Sequence, residues 1–145
     1  MTNRSWTRRL GATLVLTTTL VTLVSVSGAV ASPEDPEPEV VPAEICPIDW
    51  RRGSWHVKQL IRCVAEHHGV SIRTSLYVAS LESHFRPRAY NAASCARGIF
   101  QHLCRYWAGR AKAYGFPNRS AFNARANIFV TMRMVKRYGW APWGV

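Results

Sequence analysis

The chain has 145 residues and a formal net charge of +11, from 19 Lys and Arg against eight Asp and Glu, with four cysteines and five histidines. That length supports one hydrophobic core, and no internal repeat is present to extend it into a solenoid or array. The cysteines include no C-x-x-C pair and the histidines no H-E-x-x-H, which argues against a zinc finger and a helical zinc-hydrolase site.

The first thirty-one residues read as a secretory signal peptide. Arg4, Arg8 and Arg9 form a charged head, Leu10 to Val26 is apolar apart from Thr, Ser and Gly, and Ala29-Val30-Ala31 is a small-x-small cleavage site. A membrane anchor is the rival reading. The stretch is borderline in length for a bilayer and rich in threonine, and the cleavage site follows directly, so export without lasting membrane insertion is expected. Residues 32–44 begin SPEDPEPEVVPA, too acidic and proline-rich to build a core, and read as a linker. The folded domain is expected over 45–145.

In an exported chain an even number of cysteines points to disulfides. Cys46, Cys63, Cys95 and Cys104 allow three connectivities; the local one, Cys46–Cys63 with Cys95–Cys104, is expected because each bridge then ties a loop to a neighbouring helix.

The rest of the chain is helical in pattern. Trp55, Leu60, Ile61, Val64 and His68 recur at three-to-four spacing, and Gly69 closes that helix. Ser71 caps a second helix whose expected inner face is Leu76, Tyr77, Ser80 and Leu81, and which ends near Ser83–Phe85 ahead of Pro87. A third is expected from Gly98 to Tyr114, broken by Gly115-Phe116-Pro117. A fourth spans Phe122 to Tyr138, with Ile128, Met132 and Val135 as its apolar stripe. No alternating strand of useful length appears, although the Arg88–Arg97 loop has room for a short hairpin. The expected class is mainly α, a single small helical domain.

Charge is unevenly spread. Signal removal takes away three arginines, leaving +8, and six of the eight acids precede residue 50. From Arg51 onward there are sixteen bases, thirteen of them Arg, against Glu66 and Glu82. Such a surface expects a polyanion, and for an exported protein that means anionic cell-wall polymer or lipid headgroups before nucleic acid. A high-GC coding bias toward Arg is the plain alternative.

Acid catalysis on a sugar needs a carboxyl held in a partly dry cleft, protonated near neutral pH. Glu66, in Ala65-Glu66-His67-His68, reads as a solvated residue. Glu82 ends a helix between Leu81 and Phe85, where the plain alternative is a surface carboxylate paired with Arg86. Its surroundings favour chemistry. Glu82-Ser83-His84-Phe85-Arg86-Pro87-Arg88-Ala89, then Asn91, then Gly98-Ile99-Phe100-Gln101, resembles the soluble lytic transglycosylases and goose-type lysozymes, whose motif runs E-S-x-F-x-P-x-A, a short loop, then G-L-x-Q. Asn127-Ile128 is similar to an N-I pair common in that family. The resemblance covers about Val70 to Gly139, and the resuscitation-promoting factors carry a similar glutamate motif.

The resemblance implies a lysozyme-like α+β fold with a substrate cleft and a set of roles. Glu82 is the catalytic acid and base, Ser83 orients it or the sugar, and Gln101 hydrogen-bonds substrate. Gly98 permits close backbone approach, Phe100 walls the groove, and Asn127 belongs to the binding set. Family members also carry an A-Y-N-A-G segment whose tyrosine contacts the site. This chain ends Tyr138-Gly139-Trp140-Ala141-Pro142-Trp143-Gly144-Val145 instead, and spacing alone does not choose among Tyr138, Trp140 and Trp143 for that role.

With one convincing carboxylate, the usual glycosidase pair is lacking. The family solution fits: the substrate acetamido group stabilises the oxocarbenium-like centre, and Glu82 then takes the muramyl 6-hydroxyl proton, giving a 1,6-anhydro product. A goose-type lysozyme uses water for that step. The implied function is cleavage of the β-1,4 bond between N-acetylmuramic acid and N-acetylglucosamine in peptidoglycan, by a secreted, wall-associated monomer. Expected partners are glycan strands and anionic wall polymers, with no metal or cofactor and no nucleic acid. The competing reading is a cationic wall-binding protein on the same fold without catalysis, motivated by the charge and the missing tyrosine segment. A nucleic-acid binder explains the charge alone.

Overall fold

Four helices and a small sheet make up residues 45–145, the part of the chain that the computed structural model describes. The expected signal peptide, 1–31, and linker, 32–44, lie outside the described residues. Helix α1 runs Ser54–His68 and stops where Gly69 turns left-handed, its N–H reaching back to the Ala65 and Glu66 carbonyls. Helix α2, Ile72–Ser83, starts under the Ser71 hydroxyl, which accepts from the Thr74 N–H. Helix α3 is Cys104–Ala113. Helix α4, Ala124–Tyr138, begins at Asn123, whose side-chain oxygen accepts from the Ala126 N–H.

Between α2 and α3 lie three two-residue strands, β1 Tyr90–Asn91, β2 Ala96–Arg97 and β3 His102–Leu103, antiparallel in that order. The register pairs Asn91 with Ala96 and Arg97 with His102. The hairpin that the Arg88–Arg97 loop had room for is present, and a third strand extends it. That strand falls where helix was expected. Gly98 and Gln101 have φ of 81° and 47°, in the left-handed region that a right-handed helix cannot use, so residues 98–101 turn and α3 starts only at Cys104.

Helix α4 is the spine of the core. Ala126 through Met132 are buried without interruption, with Ile128, Met132 and Val135 inward as the spacing predicts. Helix α1 packs on both α2 and α4, burying Val57, Leu60, Ile61, Val64 and Ala65, whereas Trp55 is 63% exposed. The inner face of α2 differs from the expected one. Ser75, Val78, Ala79 and Ser83 are buried, while Tyr77 and Leu81 are 56% and 61% exposed. Small residues at four-residue spacing allow close approach, and their hydroxyls are satisfied inside the helix. Ser75 Oγ donates to the Ser71 carbonyl at 2.8 Å and meets Met132 Sδ at 3.5 Å; Ser83 Oγ donates to the Ala79 carbonyl at 3.2 Å.

The disulfides are Cys46–Cys63 and Cys95–Cys104, so the described cysteines are all paired. The first ties the N-terminal segment to α1; the second ties the β1–β2 loop to the first residue of α3. No helix among the described residues is long and apolar enough to cross a membrane.

Candidate functional site

Glu82 lies in the last turn of α2, on the border between the buried Val78–Ala79 face and the exposed ridge of Tyr77 and Leu81. Of the three acids among the described residues, Asp49 and Glu66 are exposed and Glu82 is half-buried. Burial pushes its carboxyl above the ordinary value of 4.5. Pairing with Arg86 does not occur. Arg86 turns back onto the helix end, where its backbone N–H and its Nε both donate to the Ser83 carbonyl, at 3.1 and 3.0 Å. The ion pair among the described residues is Arg51–Asp49, so Glu82 has no cation at salt-bridge distance there.

The chain leaves Glu82 through two consecutive non-glycine residues in the left-handed region, His84 at φ 52° and Phe85 at φ 63°. Each costs about 1–2 kcal/mol of backbone strain. Strain of this kind persists where surrounding structure over-determines the backbone. Here the His84 N–H is bonded to the Ser80 carbonyl, and the Phe85 ring lies under the Lys58 ammonium at 4.6 Å.

The second motif block forms the turn between β2 and β3, and Asn127 holds it. This side chain is fully buried: its Oδ1 accepts from the Phe100 N–H at 2.9 Å, and its Nδ2 donates to the Ala121 and Arg97 carbonyls at 2.9 and 3.3 Å. Gly98 faces the same clamp at φ 81°, and a Cβ there would collide with the Ala121 carbonyl oxygen and the Asn127 amide. The close approach at Gly98 is made to the protein's own Ala121 carbonyl and Asn127 amide. Gln101 is half-buried and closes the turn, its Nε2 donating to the Gly98 and Ala89 carbonyls at 2.9 and 3.3 Å.

The expected site residues thus separate into two sets. Glu82 and Gln101 retain access to solvent. Ser83, Phe100 and Asn127 do not: Ser83 is bonded within α2, Phe100 is fully buried, and Asn127 spends its amide on backbone. Their side chains hold the frame and present no surface to a ligand. Phe100 is covered by the C-terminal aromatics, with Trp140 and Trp143 ring centroids at 6.1 and 6.4 Å and Trp143 Nε1 donating to the Phe100 carbonyl at 2.9 Å. Tyr138 stays exposed beside Arg137.

Two adjoining concavities were not anticipated from the sequence. One of about 630 Å³ is lined by Trp50, Arg51, Arg88, Ser120, Phe122 and Asn123. The other, about 360 Å³, shares Trp50, Arg51 and Arg88 and continues along Val57 and Phe85 to Pro87. Glu82 lines neither, but the segment Phe85–Arg88 that follows it lines the smaller, and Arg88 lines both. The Arg86-Pro87-Arg88 triplet was the available signal.

No protein-family model, curated protein or solved structure matches the chain. Among the described residues, no three His, Cys, Asp or Glu side chains converge on a point that could hold a metal ion.

Proposed function

We propose that this protein is an exported peptidoglycan-cleaving enzyme of the lysozyme-like type, with Glu82 as its acid. The observation that carries the reading is a half-buried, unpaired carboxyl in the last turn of α2, its proton held by burial, in a chain otherwise crowded with cations. A general acid must be protonated when substrate binds, and desolvation without a neighbouring cation is the physical way to achieve that. The exposed Tyr77 ring and Leu81 side chain, one helical turn apart, supply an apolar ridge beside it on which a sugar ring can rest. The two disulfides suit an oxidising compartment.

In this reading Glu82 protonates the glycosidic oxygen between the two amino sugars and then, as the carboxylate, accepts a proton from the incoming hydroxyl. With no second half-buried acid among the described residues, the substrate acetamido group stabilises the sugar cation, and the muramyl 6-hydroxyl closes to a 1,6-anhydro ring. The rival, a cationic wall-binding protein without catalysis, is favoured by two adjoining concavities lined with arginines and aromatic rings away from Glu82. Mass spectrometry of sacculus digests tests the choice. Anhydro-muropeptides from the wild type and none from Glu82→Gln support the enzyme; reducing ends point to hydrolysis; undigested sacculi refute cleavage.

A further inference from the structure

We propose that the double concavity around Arg51 and Arg88 is a binding site for an acidic saccharide, in which a carboxylate or phosphate is held by guanidinium groups while a sugar ring lies against Trp50 or Phe122. Three observations converge on that ligand class. First, Arg51 and Arg88 line both concavities, which places two guanidinium-bearing side chains along one depression, while Arg86, whose Nε is given to the Ser83 carbonyl, lines the smaller. Planar guanidinium groups match carboxylate and phosphate oxygens in paired hydrogen bonds, which favours an anion over a neutral sugar. Second, these cations are not consumed by the protein's own acids. Asp49 touches Arg51 at 3.6 Å with both side chains largely exposed, a contact that an incoming anion displaces at little cost, and among the described residues no hydrogen bond or ion pair engages the Arg88 side chain. Third, the walls are aromatic. Trp50 carries the Arg51 guanidinium at 4.8 Å from its ring, and Phe122 carries that of Arg97 at 5.6 Å. Behind that contact Arg97 Nε is buried with no hydrogen-bond partner among the described residues. Rings flanked by cations are suited to a ligand that is part apolar face and part charge.

The site does not depend on Glu82; only its source of saccharide, a bacterial wall, rests on the function proposed above. Within a wall the same chemistry arises twice, as carboxylates of a muramyl peptide and as phosphodiesters of an anionic glycopolymer.

Titration calorimetry of purified Glu82→Gln protein, which keeps turnover out of the measurement, decides the matter with three probes: muramyl dipeptide, a glycerol-phosphate oligomer and chitotetraose. Binding of either acidic probe, weakened about tenfold by Arg88→Ala and again by Arg51→Ala, with partial recovery in Arg88→Lys, is the expected result. The acidic probe that binds tighter identifies the source. Phe122→Leu should weaken the acidic probe less than Arg88→Ala does, and a matching NMR titration should shift the Trp50 indole resonance. Equal affinity for chitotetraose, or acidic-probe binding unchanged in Arg88→Ala, overturns the proposal and leaves cleavage by Glu82 untouched. Binding as expected together with undigested sacculi retains this site and removes the enzyme.

Discussion

Thr131 Oγ1 lies 2.8 Å from His102 Nε2 while giving its own proton to the Asn127 carbonyl at 2.7 Å. A hydroxyl has one proton, so toward the imidazole it accepts, and Nε2 carries the ring hydrogen. Nδ1 is then the acceptor for Arg110 at 3.0 Å, and the ring is satisfied only when neutral. Burial, reinforced by Arg110, holds His102 down to about 3, and burial with His67 and two further cations holds His68 down to about 4. Below the ordinary value of 6.5 the unfolded chain takes up these protons and the folded chain does not. Stability should therefore be complete above about 6.5 and fall as pH drops toward 4, by up to about 1.4 kcal/mol per pH unit for the buried His102 and by less for the half-buried His68, which solvent screens. Urea denaturation at pH 7 and pH 5 measures it. His102→Gln, which keeps an N–H for Thr131, should flatten the slope; an unchanged slope would contradict the assignment.

Gly98 meets the same framework from the other side. Gly98→Ala combines a left-handed φ with a collision against Ala121 and Asn127, and should destabilise by about 3 kcal/mol. Because the fault lies in the clamp, Asn127→Ala, which strands one N–H and two carbonyls, should cost at least as much. Thermal melts check both; a Gly98→Ala protein melting like wild type would show that the turn relaxes freely.

Helix existence was legible in the sequence because caps and stops are local: Ser71 and Gly69 act within one turn of themselves. The inner face of α2 was not, because Leu76, Tyr77 and Leu81 look more apolar than Ser75, Ala79 and Ser83. Close packing favoured the smaller set, and that choice depends on partners distant in sequence. The turn at 98–101 was hidden for the same reason. Its left-handed residues are held by Asn127, nearly thirty positions away, and no local pattern encodes that. Glu82 was legible as a candidate through its neighbours, while the arginine-lined concavities, assembled from the segments around residues 50, 88 and 122, were not.

The two disulfides should separate stability from activity. By loop length, each contributes about 3 kcal/mol by constraining the unfolded chain. Cys46–Cys63 anchors the N-terminal segment to α1, whereas Cys95–Cys104 brackets β2, the turn with Gly98 and Gln101, and β3. Cys46→Ala with Cys63→Ala should lower the melting temperature and spare the specific activity of the protein that remains folded. Cys95→Ala with Cys104→Ala should lower both, and equal activity loss in the two double variants would argue against a functional role for the turn.

The basic surface should govern capture of the wall. Sixteen bases against two acids beyond residue 50 attract a polyanion through solvent, and such attraction is screened within about 10 Å at 0.1 M salt. Binding to sacculi should fall about tenfold between roughly 0.05 and 0.3 M salt. Turnover of a short neutral chitooligosaccharide, if it is a substrate, should change far less. A pelleting assay across the salt series checks the first part, and flat binding would remove electrostatic capture.

Glu82→Gln tests acid catalysis and burial together. The amide keeps the shape of the side chain but has no titrating proton, so wall cleavage should drop at least about a hundredfold with the fold intact. The same change should alter stability in a direction set by the carboxyl's raised value. Between 4.5 and its higher folded value, the folded chain holds the Glu82 proton more firmly than the unfolded chain, so wild-type stability falls as pH rises through that window. Above it the protein carries a partly desolvated carboxylate with no ion-pair partner among the described residues, a burden that Gln does not have. Melts of the two proteins should therefore coincide near pH 3.5 and diverge toward pH 7, with Glu82→Gln the more stable. Loss of activity with that gain in stability is the signature of a residue kept for chemistry. A variant less stable at pH 7 than at pH 3.5 relative to wild type would mean that the carboxylate is stabilised where it stands, and a solvated or paired Glu82 is no general acid.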